Sequence, residues 1–240
     1  NGAFVAGYGN NVTNSYKDKI NVSGIIGSSS LDTTATLAKV LNDPNTELGQ
    51  VGVIGAGNKL DTANNTVVMG MRNNVSVANK SSVSGFNQAA NTINYTSISG
   101  ADSTVKNTNY VYTAGINNTI NNADNVIAMG NNMVVGSATT TAKNSILLGN
   151  NINFASKNDM ANAISIGDFS RANTGAVAVG VSAQADVNAA VALGANAVVT
   201  QVNSVALGAD SSTTAAVPTT NAVINGLTHS FAGANPVGVV

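Results

Sequence analysis

His229 is the only histidine in a chain of 240 residues that has no cysteine, and those two facts close off most side-chain chemistry. A structural metal centre draws on several Cys, His or carboxylate ligands, and one histidine cannot supply the set. A nucleophile-histidine-acid arrangement needs partners placed on both sides of the imidazole, and the sequence around His229 offers none. The residue reads as structural or as surface. In an assembly, copies of it meeting near a common axis could hold an anion or a metal. The glycines do not spell a phosphate loop, which needs G-K-[ST] at the start of a helix. Pairs such as Gly167-Asp168 do not build the nine-residue calcium repeat. Asn-x-Ser/Thr sequons, for instance Asn11-Val12-Thr13 and Asn74-Val75-Ser76, follow from a composition rich in those residues. No catalytic residue, no metal ligand and no cofactor is expected.

The absence of chemistry leaves architecture. Charged residues are 9% and aromatics 4% of the chain, the net charge is -1, and there are 24 Gly. Ordinary domains carry roughly 25% charged residues and draw much of their buried area from aromatics. A surface this neutral has no electrostatic footprint for nucleic acid. No apolar run reaches the length that spans a bilayer. No leader peptide is visible, because the chain opens NGAFVAGYG, already inside a repeat. It reads as a piece of something longer.

The repeat is a short phrase: two aliphatic residues around a small one, then glycine, then a small polar residue. NSVALGADS at 203–211 has it, as do NAISIGDFS at 162–170 and AAVALGANA at 189–197. Its anchors are Gly55, Gly70, Gly85, Gly100, Gly115, Gly130, Gly149, Gly167, Gly180, Gly194 and Gly208, with weaker copies at Gly7 and Gly27. From Gly55 to Gly130 every step is 15 residues, and from Gly167 to Gly208 the steps are 13, 14 and 14. A constant step marks stacked units that bury their faces against one another. Such a step is too short for a helical hairpin and fits two short strands with two turns. Alternation of large and small residues before each glycine is a strand pattern, and β-branched residues favour it. A second apolar beat follows at Val75, Val105, Ile120, Val135 and Ala172. Asparagine pairs such as Asn117-Asn118 suit the turns, since Asn tolerates positive φ. The predicted fold is all-β: a parallel β-solenoid of about 13 coils of 13–15 residues.

The paired large residues Ile164 and Ile166, Val177 and Val179, Val191 and Leu193, and Val205 and Leu207 are the expected core. Two coils invert the phrase. In Ser82-Val83-Ser84 and Ser97-Ile98-Ser99 the bulk sits in the middle, facing the other side of the strand. Both faces of the glycine strand are therefore expected to be covered, one by the coil and one by a neighbour, which favours an oligomer. Residues 28–50 widen one step to 28 residues, and Thr34 could cap a short helix over 35–42 that Pro44 ends. Solenoid insertions project from one face. Leu37, Lys39, Asn42, Asp43, Asn45 and Glu47 form a candidate receptor loop, with packing beside the roll as the plainer alternative.

The ladder of V-A-L-G and I-S-I-G phrases resembles the head repeat of trimeric autotransporter adhesins of the Yersinia adhesin type, S-V-A-I-G-x-x-S-x-A. Ile164-Ser165-Ile166-Gly167-Asp168-Phe169-Ser170-Arg171-Ala172 matches it at nearly every defined position. The resemblance covers residues 1–217. It implies a left-handed parallel β-roll, a homotrimer packed about a common axis, and display at a bacterial cell surface, anchored in the outer membrane. The segment 218–240, with Asn225 to Gly233, resembles the junction into a neck, so membrane contact would come only through a C-terminal anchor absent from this sequence. The implied function is an adhesin head, attaching to host matrix, host cells or other microbes by multivalent, non-catalytic contacts.

Two other solenoid classes compete with this reading. A hexapeptide-repeat acyltransferase would need steps divisible by six and a histidine within the repeats. An ice-binding solenoid would need threonines in register from coil to coil. The sequence has neither.

Overall fold

The computed structural model describes residues 2–14, 50–154 and 160–231. These are all-β, wound as parallel β-solenoid turns, about 10 in all, with no helix among the described residues. The chain divides into two compact units, Asn1–Asn121 and Asn122–Val240.

In the first unit each turn carries two strands, and each strand stacks on its counterpart one turn away. One ladder runs through Gly2–Ala6, Gln50–Ala56, Thr66–Met71, Ser82–Phe86 and Ser97–Ala101 to the end of Thr104–Ile116. The second runs through Asn11–Thr13, Lys59–Asn64, Asn74–Asn79 and Ala89–Asn94 to the start of Thr104–Ile116. Glycine sits on glycine: Gly55 on Gly70, Gly70 on Gly85, Gly85 on Gly100, Gly100 on Gly115. Gly85 shows why no other residue serves. Its φ is +121°, and a Cβ there would overlap the carbonyl oxygen of Gly100 and lie 2.8 Å from its carbonyl carbon.

Side chains alternate in and out along both strands. The inner residue of each glycine strand is the middle one of the phrase: Val53, Val68, Val83, Ile98 and Thr113, all essentially buried. The opposing strand contributes Leu60, Val75, Ala90 and Val105. At the corner after the glycine, an amide ladder satisfies polar groups that the fold takes out of water. Asn58 Nδ2 donates to Asn10 Oδ1 at 3.0 Å, and Asn73 Nδ2 donates to Asn58 Oδ1 at 3.0 Å. The backbone N–H of Gln88 then donates to Asn73 Oδ1. Buried polar groups of this kind persist only when paired.

The 15-residue turns have a feature the shorter ones lack. Thr62, Val77, Thr92 and Asn107 take φ of 49°, 52°, 52° and 51°, and strand pairing skips each of them. This bulge turns the next residue inward, so Ala63, Ala78, Ile93 and Thr108 add a further rank to the core. Three of the four are β-branched residues in a left-handed conformation, which sterics disfavour strongly.

In the second unit the glycine ladder continues the same logic through Ala142–Leu148, Ile164–Ile166, Val177–Val179, Val191–Leu193 and Val205–Leu207. Insertions do not break it: Met129 pairs with Leu148, and Leu148 with Ile166, although each step is longer than in the shorter turns. The opposing strands shorten to two residues, as in Arg171–Ala172 and Gln184–Ala185. The segment after the roll forms an antiparallel hairpin, Asn221–Ile224 with Leu227–Ser230. Asn225 and Gly226, with φ of 51° and 79°, make its two-residue turn.

Two expectations are corrected here. The paired residues Ile164, Ile166, Val177, Val179, Val191, Leu193, Val205 and Leu207 do not fill the interior of the chain. They stand on the outer side of their strands, half-buried for the most part, with Leu207 70% exposed. The interior belongs to the small residues between them, Ser165, Ala178, Ala192 and Ala206. The reason is cross-section: without the bulge a turn is narrow, its other inward residues are Ala, Ser and Val, and only a small side chain fits opposite. The second correction is the turn count. Gly7 packs directly against Gly55, and Gly2 pairs with Gln50, so no turn anchored on Gly27 stands between them. Gly27 itself lies outside the described residues.

Candidate interaction surfaces

Each glycine strand presents its flanking residues to the outside, and in the second unit these form a nearly unbroken apolar band. Ile127 is 41% exposed and Met129 42%, and Leu148, Ile166, Val179 and Leu193 are half-buried above them in register. In the first unit the band is interrupted. Ile54, Val67 and Met69 are exposed aliphatics, the next two turns offer Ser82 with Ser84 and Ser97 with Ser99, and Tyr112 follows. Single exposed apolar residues are ordinary, whereas contiguous patches mark contact surfaces. The hairpin adds Val223, Ile224 and Leu227, all more than half exposed. A two-stranded hairpin is marginal alone in water.

The opposite side of the first unit is polar and carries the bulges. Asn79 Nδ2 donates to Asn94 Oδ1 at 3.0 Å, and Asn94 Nδ2 donates to Asn109 Oδ1 at 2.9 Å. One residue further along the chain, Lys80 Nζ donates to Tyr95 Oη at 2.9 Å and lies 5.0 Å from the ring centroid. Tyr95 stacks on Tyr110 with centroids 4.7 Å apart and planes 12° from parallel. Spacing of one turn brings these residues together; their sequence separation of 15 was the available signal, and the stack itself went unread in the sequence.

Two carboxylates are held by specific partners. Asp61 Oδ1 accepts hydrogen bonds from Thr13 Oγ1 at 2.8 Å and Asn14 Nδ2 at 3.0 Å. Those two donors hold its carboxyl below the usual carboxylate range, against a small opposing effect of burial. Arg171 donates to Asp186 Oδ2 at 2.7 Å and to Gln184 Oε1 at 2.6 Å. His229 pairs with Ala222 across the exposed hairpin. Among the described residues no group of three or more His, Cys, Asp or Glu could hold a metal ion.

The repeat anchors from Gly55 to Gly115 stack in the first unit, and those from Gly130 to Gly208 in the second. The candidate receptor loop, Leu37, Lys39, Asn42, Asp43, Asn45 and Glu47, and the helix expected over 35–42 lie outside the described residues. No known protein family matches the chain, and no curated protein matches it.

Proposed function

We propose that the chain is the adhesive head of a trimeric autotransporter adhesin. Three left-handed rolls pack their glycine strands about a common axis, and the assembly attaches a bacterial surface to host matrix, host cells or other microbes without catalysis. The apolar band on the outer side of the glycine strands carries this reading. In the later turns large aliphatics flank the strand while alanine fills the interior, which sets much of their apolar surface where a second chain would cover it. Fully burying one such side chain is worth about 1.5–3 kcal/mol, so a band repeated over several turns offsets the entropic cost of association. The repeat phrase supports the same reading through its resemblance to the adhesin heads. Three identical faces would convert weak contacts into avid ones.

Light scattering tests the assembly. The expected mass is three times the 23.9 kDa of one chain, falling to a single chain in Leu193→Asp, which sets a charge into the shared face. A wild-type mass of one chain refutes the trimer. Attachment of head-coated beads to matrix proteins, cultured cells or other bacteria tests the adhesive role, which fails if a verified trimer attaches to none of them.

A further inference from the structure

We propose that the polar side of the first unit binds an extended, uncharged glycan in the groove formed by its stacked bulges. The inference names a class of partner for the adhesive reading and rests on it to that extent, but the groove belongs to one chain and needs no trimer.

The groove is a shallow channel of about 470 Å³, running across four successive turns and lined by Thr62, Val77, Thr92 and the asparagines beside them. Three steps between stacked strands, about 4.8 Å each, give it a length of about 14 Å, enough for a short oligosaccharide. Its lining is Thr, Asn, Val, Ala and Ile, with no ionisable group. Of the charges next to it in sequence, Asp61 is held by Thr13 and Asn14 and Lys80 by Tyr95, and Lys106, beside Asn107, is exposed to solvent outside the lining. Such a surface favours hydroxyl groups over phosphate, carboxylate or sulfate.

The carboxamides point to the same ligand. Amide groups both donate and accept, which suits the mixed hydroxyls of a sugar. The ladder from Asn79 to Asn109 uses its inner groups on itself, but the side-chain oxygens of Asn64 and Asn79 accept no hydrogen bond. Both side chains are half-buried, and the terminal amide torsion is soft, so rotation presents the Asn64 oxygen to the groove, while the same move at Asn79 exchanges its bond to Asn94 for the ligand. A ligand hydroxyl donating there removes a cost that the free groove carries. The bulge itself is a second observation. Thr62, Val77 and Thr92 hold a disfavoured backbone conformation in three consecutive turns, and strain repeated in register gathers at binding sites. The turns of the second unit from Gly167 onward fold without it.

The test is a printed panel of neutral and acidic oligosaccharides, followed by calorimetry with the best neutral one. Val77→Trp fills the groove without adding a β-branched residue to the strained position, and Asn64→Ala removes one free acceptor while leaving the Asn79–Asn109 ladder intact. Unchanged mass and thermal unfolding establish that both variants fold. The expected result is binding of neutral oligosaccharides by wild type, unaffected by raised salt, weakened about ten-fold or more by Val77→Trp and less by Asn64→Ala. A ten-fold loss corresponds to about 1.4 kcal/mol. The proposal is overturned if only acidic glycans bind, if neutral binding survives Val77→Trp, or if no glycan binds at millimolar concentration. It is also overturned if the groove variants lose binding to a protein ligand alone. A trimer with no glycan binding sinks the groove and spares the assembly; a monomer that binds does the reverse.

Discussion

Gly85→Ala should destabilise the roll far more than a surface glycine substitution does, and the stacking of one glycine on the next sets the size of the effect. Gly85 has φ of +121°, outside the region that L-residues adopt, and its Cβ would overlap the carbonyl oxygen of Gly100. The obstacle is backbone, so no rotamer change relieves it. The turns must separate locally by more than an ångström. The bonds that span the step are then stretched, including the one from Asp102 N–H to Phe86 C=O at 3.0 Å. Conformational strain of about 1–3 kcal/mol, with two or three weakened hydrogen bonds at about 1 kcal/mol each, gives a loss of about 3–6 kcal/mol. Gly57→Ala is the control. Gly57 has φ of +65° and nothing within 4 Å of its Cβ position, and the equivalent place in later turns holds Arg72, Asn87 and Asp102, all at positive φ. Its cost should be about 1–2 kcal/mol. Gly208→Ala should fall between the two, because its φ of +112° keeps the conformational strain while nothing lies within 4 Å of its Cβ position. Thermal unfolding by circular dichroism at one fixed protein concentration measures all three. Equal melting temperatures for Gly85→Ala and Gly57→Ala would refute the stacking argument.

Ala192→Leu should cost about 1–3 kcal/mol by overpacking, since Ala192 is fully buried in a narrow turn; a melting temperature equal to wild type would mean that the interior has room. Asp61 titrates below its unfolded value because Thr13 and Asn14 donate to the ionised form. A lowered folded pKa contributes stability that is present above the unfolded value and lost as pH falls through the folded one. Amide exchange at Val12 and Thr13 should therefore quicken as pH drops below the ordinary carboxylate range, after correction for intrinsic rates, and Asp61→Asn should remove that dependence. Protection that stays flat in wild type to strongly acid pH would show that Asp61 does not tether the first turn.

The period, the strands and the glycine stacking were legible in the sequence because a solenoid repeats its constraint at every turn. Gly70 over Gly85 is a backbone requirement, and no side-chain substitution can satisfy it. The second apolar beat was legible too: Val75, Val105, Ile120, Val135 and Ala172 are all buried. The direction of the glycine strand was not. Alternation states that Leu193 and Ala192 face opposite ways, and it is silent on which way is inward. A rule that large residues go inside chose wrongly, because the width of the turn decides. Nor could local pattern show that the Gly7 turn stacks directly on the Gly55 turn, since that depends on the two meeting across 48 residues. The groove was illegible for a related reason. Thr62, Val77 and Thr92 are poor candidates for positive φ by type, and the sequence marks the bulge only through the extra inward residue that follows each of them.

Coil length explains both surfaces at once. A 15-residue turn has the bulge, and so gains an inner position at Ala63, Ala78, Ile93 or Thr108. That wider interior accepts Val83 and Ile98 at the middle of the phrase, and the flanking places pass to serines 82, 84, 97 and 99. Those two turns keep their apolar material inside their own chain and leave the outer face polar, whereas the turns at Gly55 and Gly70 still present Ile54, Val67 and Met69 outward. A turn of 13 or 14 residues has no bulge, fills its interior with Ala178, Ala192 and Ala206, and sends Val, Ile and Leu to the outer side of the glycine strand. Its stability then depends on what covers that side. Loss of the bulge thus removes an inner apolar position and leaves more of a turn's apolar surface on the outer side of its glycine strand. The shorter turns are accordingly suited to assembly, and the longer ones to presenting a polar, ligand-facing groove.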